Sequence, residues 1–92
     1  MMVNVQLYHE GDLRVWWIRN PPSPGIRVYV KSAEEAIREL DRLATSDLQN
    51  EEVWGNAGGL EVFESGEWCE WYNEDGEDIR DYEMRLEDEA GA

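Results

Sequence analysis

Sixteen of the 22 acidic residues of this 92-residue chain lie between Asp47 and Glu89, so catalysis or metal binding would have to draw on them. Asp75-Gly76, inside an acidic run, invites a calcium loop. With Gly76 at the sixth position of an EF-hand, however, the first and twelfth positions fall on Trp71 and Tyr82, which cannot ligate the ion. A looser oxygen cage from Asn73, Asp75, Glu77 and Asp78 is the one calcium reading left open, and a turn accounts equally well for the glycine. Glu67 and Glu70 are a carboxylate pair of the kind glycosidases use, but in so acidic a stretch some pair falls at any spacing. Gly55-x-x-Gly58-Gly59 lacks the Lys-Ser/Thr of a phosphate loop and reads as a tight bend needing positive φ. The single His9 sits in a turn, and the single Cys69 alternates with Trp68 and Glu70 as a small core residue. Nothing assembles a nucleophile, a base and an oxyanion donor. No enzyme, no metal and no cofactor are expected.

The elements that must position these residues follow from periodicity. Val3, Val5 and Leu7 alternate with Asn4, Gln6 and Tyr8 as a half-buried strand, and His9 to Asp12 makes a turn into a second strand, Leu13 to Arg19. Trp16 and Trp17 are adjacent, so they point to opposite faces and only one enters the core. Asn20-Pro-Pro-Ser-Pro-Gly25 is a stiff loop, and Ile26, Val28 and Val30 line one face of a third strand. Ser32 and Glu35 form a capping-box pattern ahead of a helix whose apolar stripe is Ala33, Ala36, Ile37, Leu40, Leu43 and Ala44. Thr45 to Glu52 reads as a polar connection and Val53-Trp54 as the start of a strand cut off by the glycines. Leu60–Glu64 and Glu67–Asn73 form a hairpin about Ser65-Gly66. Asp78 to Leu86 is a short helix or a strand, with Ile79, Tyr82 and Leu86 suiting the helix, and residues 87–92 are expected to fray. The fold class is α+β: one domain over residues 1–92, an antiparallel sheet with one helix on a face, ordered β-β-β-α-β-β with a short C-terminal element.

Apolar residues make up 41 % of the chain, with five Trp and four Tyr, enough for a modest core. One cysteine excludes an internal disulfide, and no apolar run approaches the roughly 20 residues of a membrane span. A location in the host-cell cytoplasm is expected. Residues 1–46 carry six acids and six bases and are neutral, so the whole net charge of −14 resides in residues 47–92. Such an excess opposes direct binding to nucleic acid or anionic lipid and favours a basic partner.

That charge is concentrated in the hairpin and its turns. Residues two apart on a strand lie about 6.5–7 Å from each other on one face, close to the roughly 6–7 Å through-space repeat of phosphates along a nucleic-acid strand. Glu61, Glu64, Glu67 and Glu70 on the hairpin, with Glu74, Asp75, Glu77 and Asp78 beyond it, can therefore present carboxylates at phosphate-like spacing. Trp68 and Tyr72 share a face with Glu70, opposite Cys69 and Trp71, so one pair belongs to the core and the other is available as an anchor.

The run Asn56-Ala-Gly-Gly-Leu-Glu-Val-Phe-Glu64, followed by Gly66-Glu-Trp68 and Glu70-Trp-Tyr-Asn-Glu-Asp-Gly-Glu-Asp-Ile79, resembles small acidic phage and prophage proteins sharing a GLEVFE…GEW.EWY…DG.DI pattern. The resemblance implies a mobile-element origin, and by association an inhibitor of host defence of the anti-CRISPR or anti-restriction type. The expectation is an inhibitor that imitates a polyanion and occupies the basic nucleic-acid site of a host nuclease or CRISPR effector. The alternative is a phage accessory or assembly factor that binds protein through an aromatic sheet face.

Overall fold

Alternating apolar residues and two tight turns build a sheet, and one amphipathic stripe builds the helix that covers it. The computed structural model describes residues 7–91, so residues 3–6 of the strand expected from Val3 lie outside the described residues, while Leu7 and Tyr8 at its end are not strand. Strands β1 (Leu13–Arg19) and β2 (Ile26–Val30), helix α1 (Ala33–Leu48), strands β3 (Asn56–Glu64) and β4 (Glu67–Glu70), and helix α2 (Ile79–Ala90) follow in order. The four strands form one antiparallel sheet in the spatial order β2-β1-β3-β4. The fold is α+β, as the sequence implies.

Val15 and Trp17 of β1, Val30 of β2, Leu60 of β3, Ala36, Leu40 and Leu43 of α1 and Ile79 of α2 make one buried cluster on a single face of the sheet. Trp17 enters this core and Trp16 lies on the opposite face, half-buried. Ser32 caps α1 by accepting from the Glu35 amide at 3.0 Å. The Glu35 carboxylate returns to the Lys31 amide at 3.0 Å, one residue earlier than a capping box requires.

Four elements differ from expectation, the first being β4, which ends at Glu70 and not at Asn73. Helix α1 does not end at Ala44 but runs on to Leu48, through the stretch read as a polar connection. Its buried residues, Ala36, Leu40, Leu43 and Asp47, continue the helical spacing, so the stripe ends on a carboxylate. Val53-Trp54 is not strand, and Asn56 to Gly59 is strand rather than bend. Gly58 and Gly59 are there for space. A Cβ on Gly58 would lie 2.8 Å from Trp17 Cζ3, and one on Gly59 would lie 2.7 Å from Trp16 Nε1, so each glycine receives an indole across the ladder. The C-terminal element resolves as helix α2, capped by Asp78 and helical through residues 87–90.

Candidate partner-binding surface

The β3–β4 hairpin turns at Ser65 (φ +52°) and Gly66 (φ +82°), two consecutive left-handed residues that match the twist of the strands they join. The resulting register sets Glu61 opposite Glu70, Val62 opposite Cys69, Phe63 opposite Trp68 and Glu64 opposite Glu67. Like charges directly opposite one another destabilise a ladder. The two acidic pairs are treated differently. Glu61 is offset on the helix-free face by Arg14, whose Nε lies 2.9 Å from its Oε1, and by Arg27 at 3.7 Å. Glu64 and Glu67 are exposed beside the turn, and neither forms an ion pair among the described residues. Glu10 adds a further carboxylate there, accepting from the Ser65 amide at 2.8 Å.

Trp68 stands on the helix-free face in an aromatic cluster. Its ring centroid is 5.2 Å from Tyr8, 5.4 Å from Phe63 and 6.1 Å from Tyr29. The Arg14 guanidinium lies 4.0 Å above the indole, a cation–π contact that joins the aromatic cluster to the Glu61 pair. Tyr29 is 54 % exposed, so the cluster has an open edge. The opposite face of β4 turns inward: Trp71 packs against the core and its ring centroid is 6.1 Å from that of Tyr82. Cys69 shares that side, and burial, followed by the charges of Glu67 and Glu64, pushes its thiol up. A thiol held protonated is a poor nucleophile.

Beyond β4 the expected site residues separate into two groups. Tyr72 is 55 % exposed and donates its hydroxyl to Glu70 at 3.0 Å; that bond, then the Glu70 charge, pushes the phenol up. Glu74 and Asp75 are exposed at the next turn, where Gly76 takes φ +79°. Asn73 organises that turn by accepting from the Asp75 and Glu77 amides at 3.0 and 2.9 Å. Glu77 is engaged internally: Asn73 donates to it at 2.8 Å and Arg85 reaches it at 3.0 Å. The Asn73 bond lowers the Glu77 carboxyl first, partial burial opposes it, and Arg85 adds to the lowering. Asp78 caps α2 through the Asp81 amide at 2.9 Å. The looser calcium cage is thus occupied by internal bonds, and no group of three or more His, Cys, Asp or Glu among the described residues is placed to hold a metal.

Glu61, Glu77 and Asp78 therefore serve the fold. Glu64, Glu67, Glu70, Glu74 and Asp75 are exposed along the edge strand and its flanking turns, without a basic partner among the described residues. Sequence reasoning missed the buried Asp47. It accepts from Trp17 Nε1 at 2.9 Å and Asn56 Nδ2 at 3.2 Å and pairs closely with Arg19. Its position eleven residues after Ala36, on the apolar stripe, was the available signal.

Among the described residues no helix is long and apolar enough to cross a membrane. Comparison with curated proteins and with solved structures gave no match. A family model does match, over residues 12–88, which takes in all four strands, α1 and all but the last two residues of α2. That family is described as superinfection exclusion gene product 17, and the chain belongs to it as a phage protein.

Proposed function

We propose that this chain serves superinfection exclusion as a stoichiometric, non-catalytic inhibitor. In this reading it covers the basic nucleic-acid-binding surface of a host defence nuclease complex, of the CRISPR or restriction class, with its acidic edge. One observation carries the reading. Glu64 and Glu67 face each other across the hairpin with no base to offset them among the described residues, and Glu70, Glu74 and Asp75 are exposed farther along the same edge, Glu70 on the other face of the strand. An arrangement that costs the free protein stability is relieved when a cationic surface meets it.

A second reading has its own support. The Tyr8, Tyr29, Phe63 and Trp68 cluster lies on a sheet face that no described element covers, as a non-mimic docking module would require.

Competition binding separates the two. Purified chain is titrated into a CRISPR effector or restriction enzyme bound to labelled duplex DNA, at low and high salt. Mimicry predicts displacement that weakens at least about tenfold as salt rises from about 50 to 300 mM. Reversal of Glu67, Glu70, Glu74 and Asp75 to Lys should abolish it. Unchanged displacement by the reversed chain rules mimicry out, and loss of binding with Trp68→Ala alone favours the aromatic face.

A further inference from the structure

At the end of β3 remote from the hairpin turn, two large apolar side chains stand in solvent: Trp54 is 75 % exposed and Leu48 88 %. With Val53 and Gly55, and beside the polar Asn50 and Glu51, they border a concave surface of about 340 Å³. Exposed apolar residues taken singly need no explanation. What sets these apart is the backbone beneath them. Asn20, in the β1–β2 loop, accepts from the Trp54 and Gly55 amides at 2.8 and 3.3 Å. It also donates its side-chain amide to the Glu52 carbonyl at 2.9 Å, and its backbone N–H to the Gly55 carbonyl at 2.8 Å. Asn20 makes these four bonds from φ +50°, a left-handed conformation that asparagine tolerates better than most residues. Asn56 then ties the start of β3 to the buried Asp47.

The indole is thus presented from a loop whose Glu52, Trp54 and Gly55 backbone groups are tied to Asn20 within the protein. Little backbone ordering remains to be lost on binding. Tryptophan is also the residue type most enriched among energetically dominant interface positions. The local charge identifies what can approach. Glu51 and Glu52 flank the patch, are exposed and form no ion pair among the described residues, while the Arg19 guanidinium is taken up by Asp47. Anionic lipid would be repelled by these carboxylates and by the net charge of −14. A two-fold self-contact would bring the Glu51 and Glu52 pairs of two copies together.

We propose that Trp54 and Leu48 form a second protein-docking site, for a partner recess that is apolar at its centre and rimmed by Lys or Arg. It stands on observations separate from the acidic edge and lies at the other end of β3.

Two experiments test it. Both side chains are exposed, so Trp54→Ala and Leu48→Ser should leave the melting temperature within about 2 °C of the wild-type value. In cells expressing the full chain, Trp54→Ala should reduce protection against a challenging phage at least about tenfold in plating efficiency. Full protection by that variant overturns the proposal. In the second experiment a benzophenone amino acid replaces Trp54, cells are irradiated during infection, and the crosslinked peptides are sequenced. Crosslinks to an apolar segment flanked by Lys or Arg in another protein support the site. Crosslinks only to lipid or to a second copy overturn it, as does a yield no higher than the same probe gives at exposed Met84 of α2, outside both surfaces. If the wild-type chain protects no cells, the preceding reading of function fails and the crosslinks alone decide this one.

Discussion

A single carboxylate, Asp47, shows how a charge is accommodated in so small a core. Burial pushes its carboxyl up, but hydrogen bonds from Arg19, Trp17 and Asn56 outweigh that effect and hold it below its ordinary value of 3.8. A lowered folded-state value means stability that is present above the ordinary value and lost as pH falls through the folded one. Asp47→Ala strands the Trp17 indole N–H and frees Arg19, so we expect a loss of about 3 kcal/mol. For a domain of this size that lowers the melting temperature by more than about 10 °C, measurable by calorimetry. Asp47→Asn, which retains an acceptor for the indole, should lose less. Gly58 and Gly59 teach a related lesson about what a residue type reveals. Read along the chain they mark a bend; in the sheet they are recesses for Trp17 and Trp16, which lie some forty residues earlier. Partners that distant are invisible to local pattern, whereas the opposite orientation of the two tryptophans follows from strand alternation alone.

Among the elements, β1, β2, the Leu60–Glu64 part of β3, the start of β4 and the start of α1 were legible because their signals are local: period-two alternation, a serine cap, and Ser-Gly at the hairpin turn. The end of α1 was not. Thr45 and Ser46 favour loops by composition, and Asp47 interrupts the apolar stripe unless its distant partners are known. The acidic surface was legible only as a composition. Which carboxylates are free depends on Arg14 reaching Glu61 and Arg85 reaching Glu77, and neither pairing follows from spacing. The packing of α2 on α1 carries a pH dependence of its own. Burial, then the charge of Asp41 and a hydrogen bond to it, then the charge of Glu87, push the Glu83 carboxyl up from 4.5, with Arg80 opposing. The sign is opposite to that of Asp47: the stability Glu83 lends is full below 4.5 and is lost as pH rises through its folded value. Glu83→Gln should therefore raise the melting temperature on the order of 2 °C at pH 8 and leave it unchanged near pH 4. An equal gain at both pH values would show that packing, and not charge, is responsible.

For the molecule as a whole, the division of charge matters more than its total. A neutral first half supplies β1, β2 and most of α1, and the −14 half supplies the β3–β4 hairpin and α2. Self-repulsion within the acidic half opposes folding and is screened by salt. The melting temperature at pH 8 should rise by several degrees as sodium chloride is raised from about 20 to 300 mM; a flat response would show the carboxylates to be too dispersed to repel.

The Asn20 bonds also bear on how chains of this family can diverge. One side chain in the β1–β2 loop satisfies three backbone groups of the α1–β3 loop, so the two loops are tied although they are more than thirty residues apart. An insertion or deletion in either one displaces the amides or the acceptor that the other requires. Loop lengths at these two places should therefore change together from relative to relative, and a grafted loop should be transplanted with its counterpart.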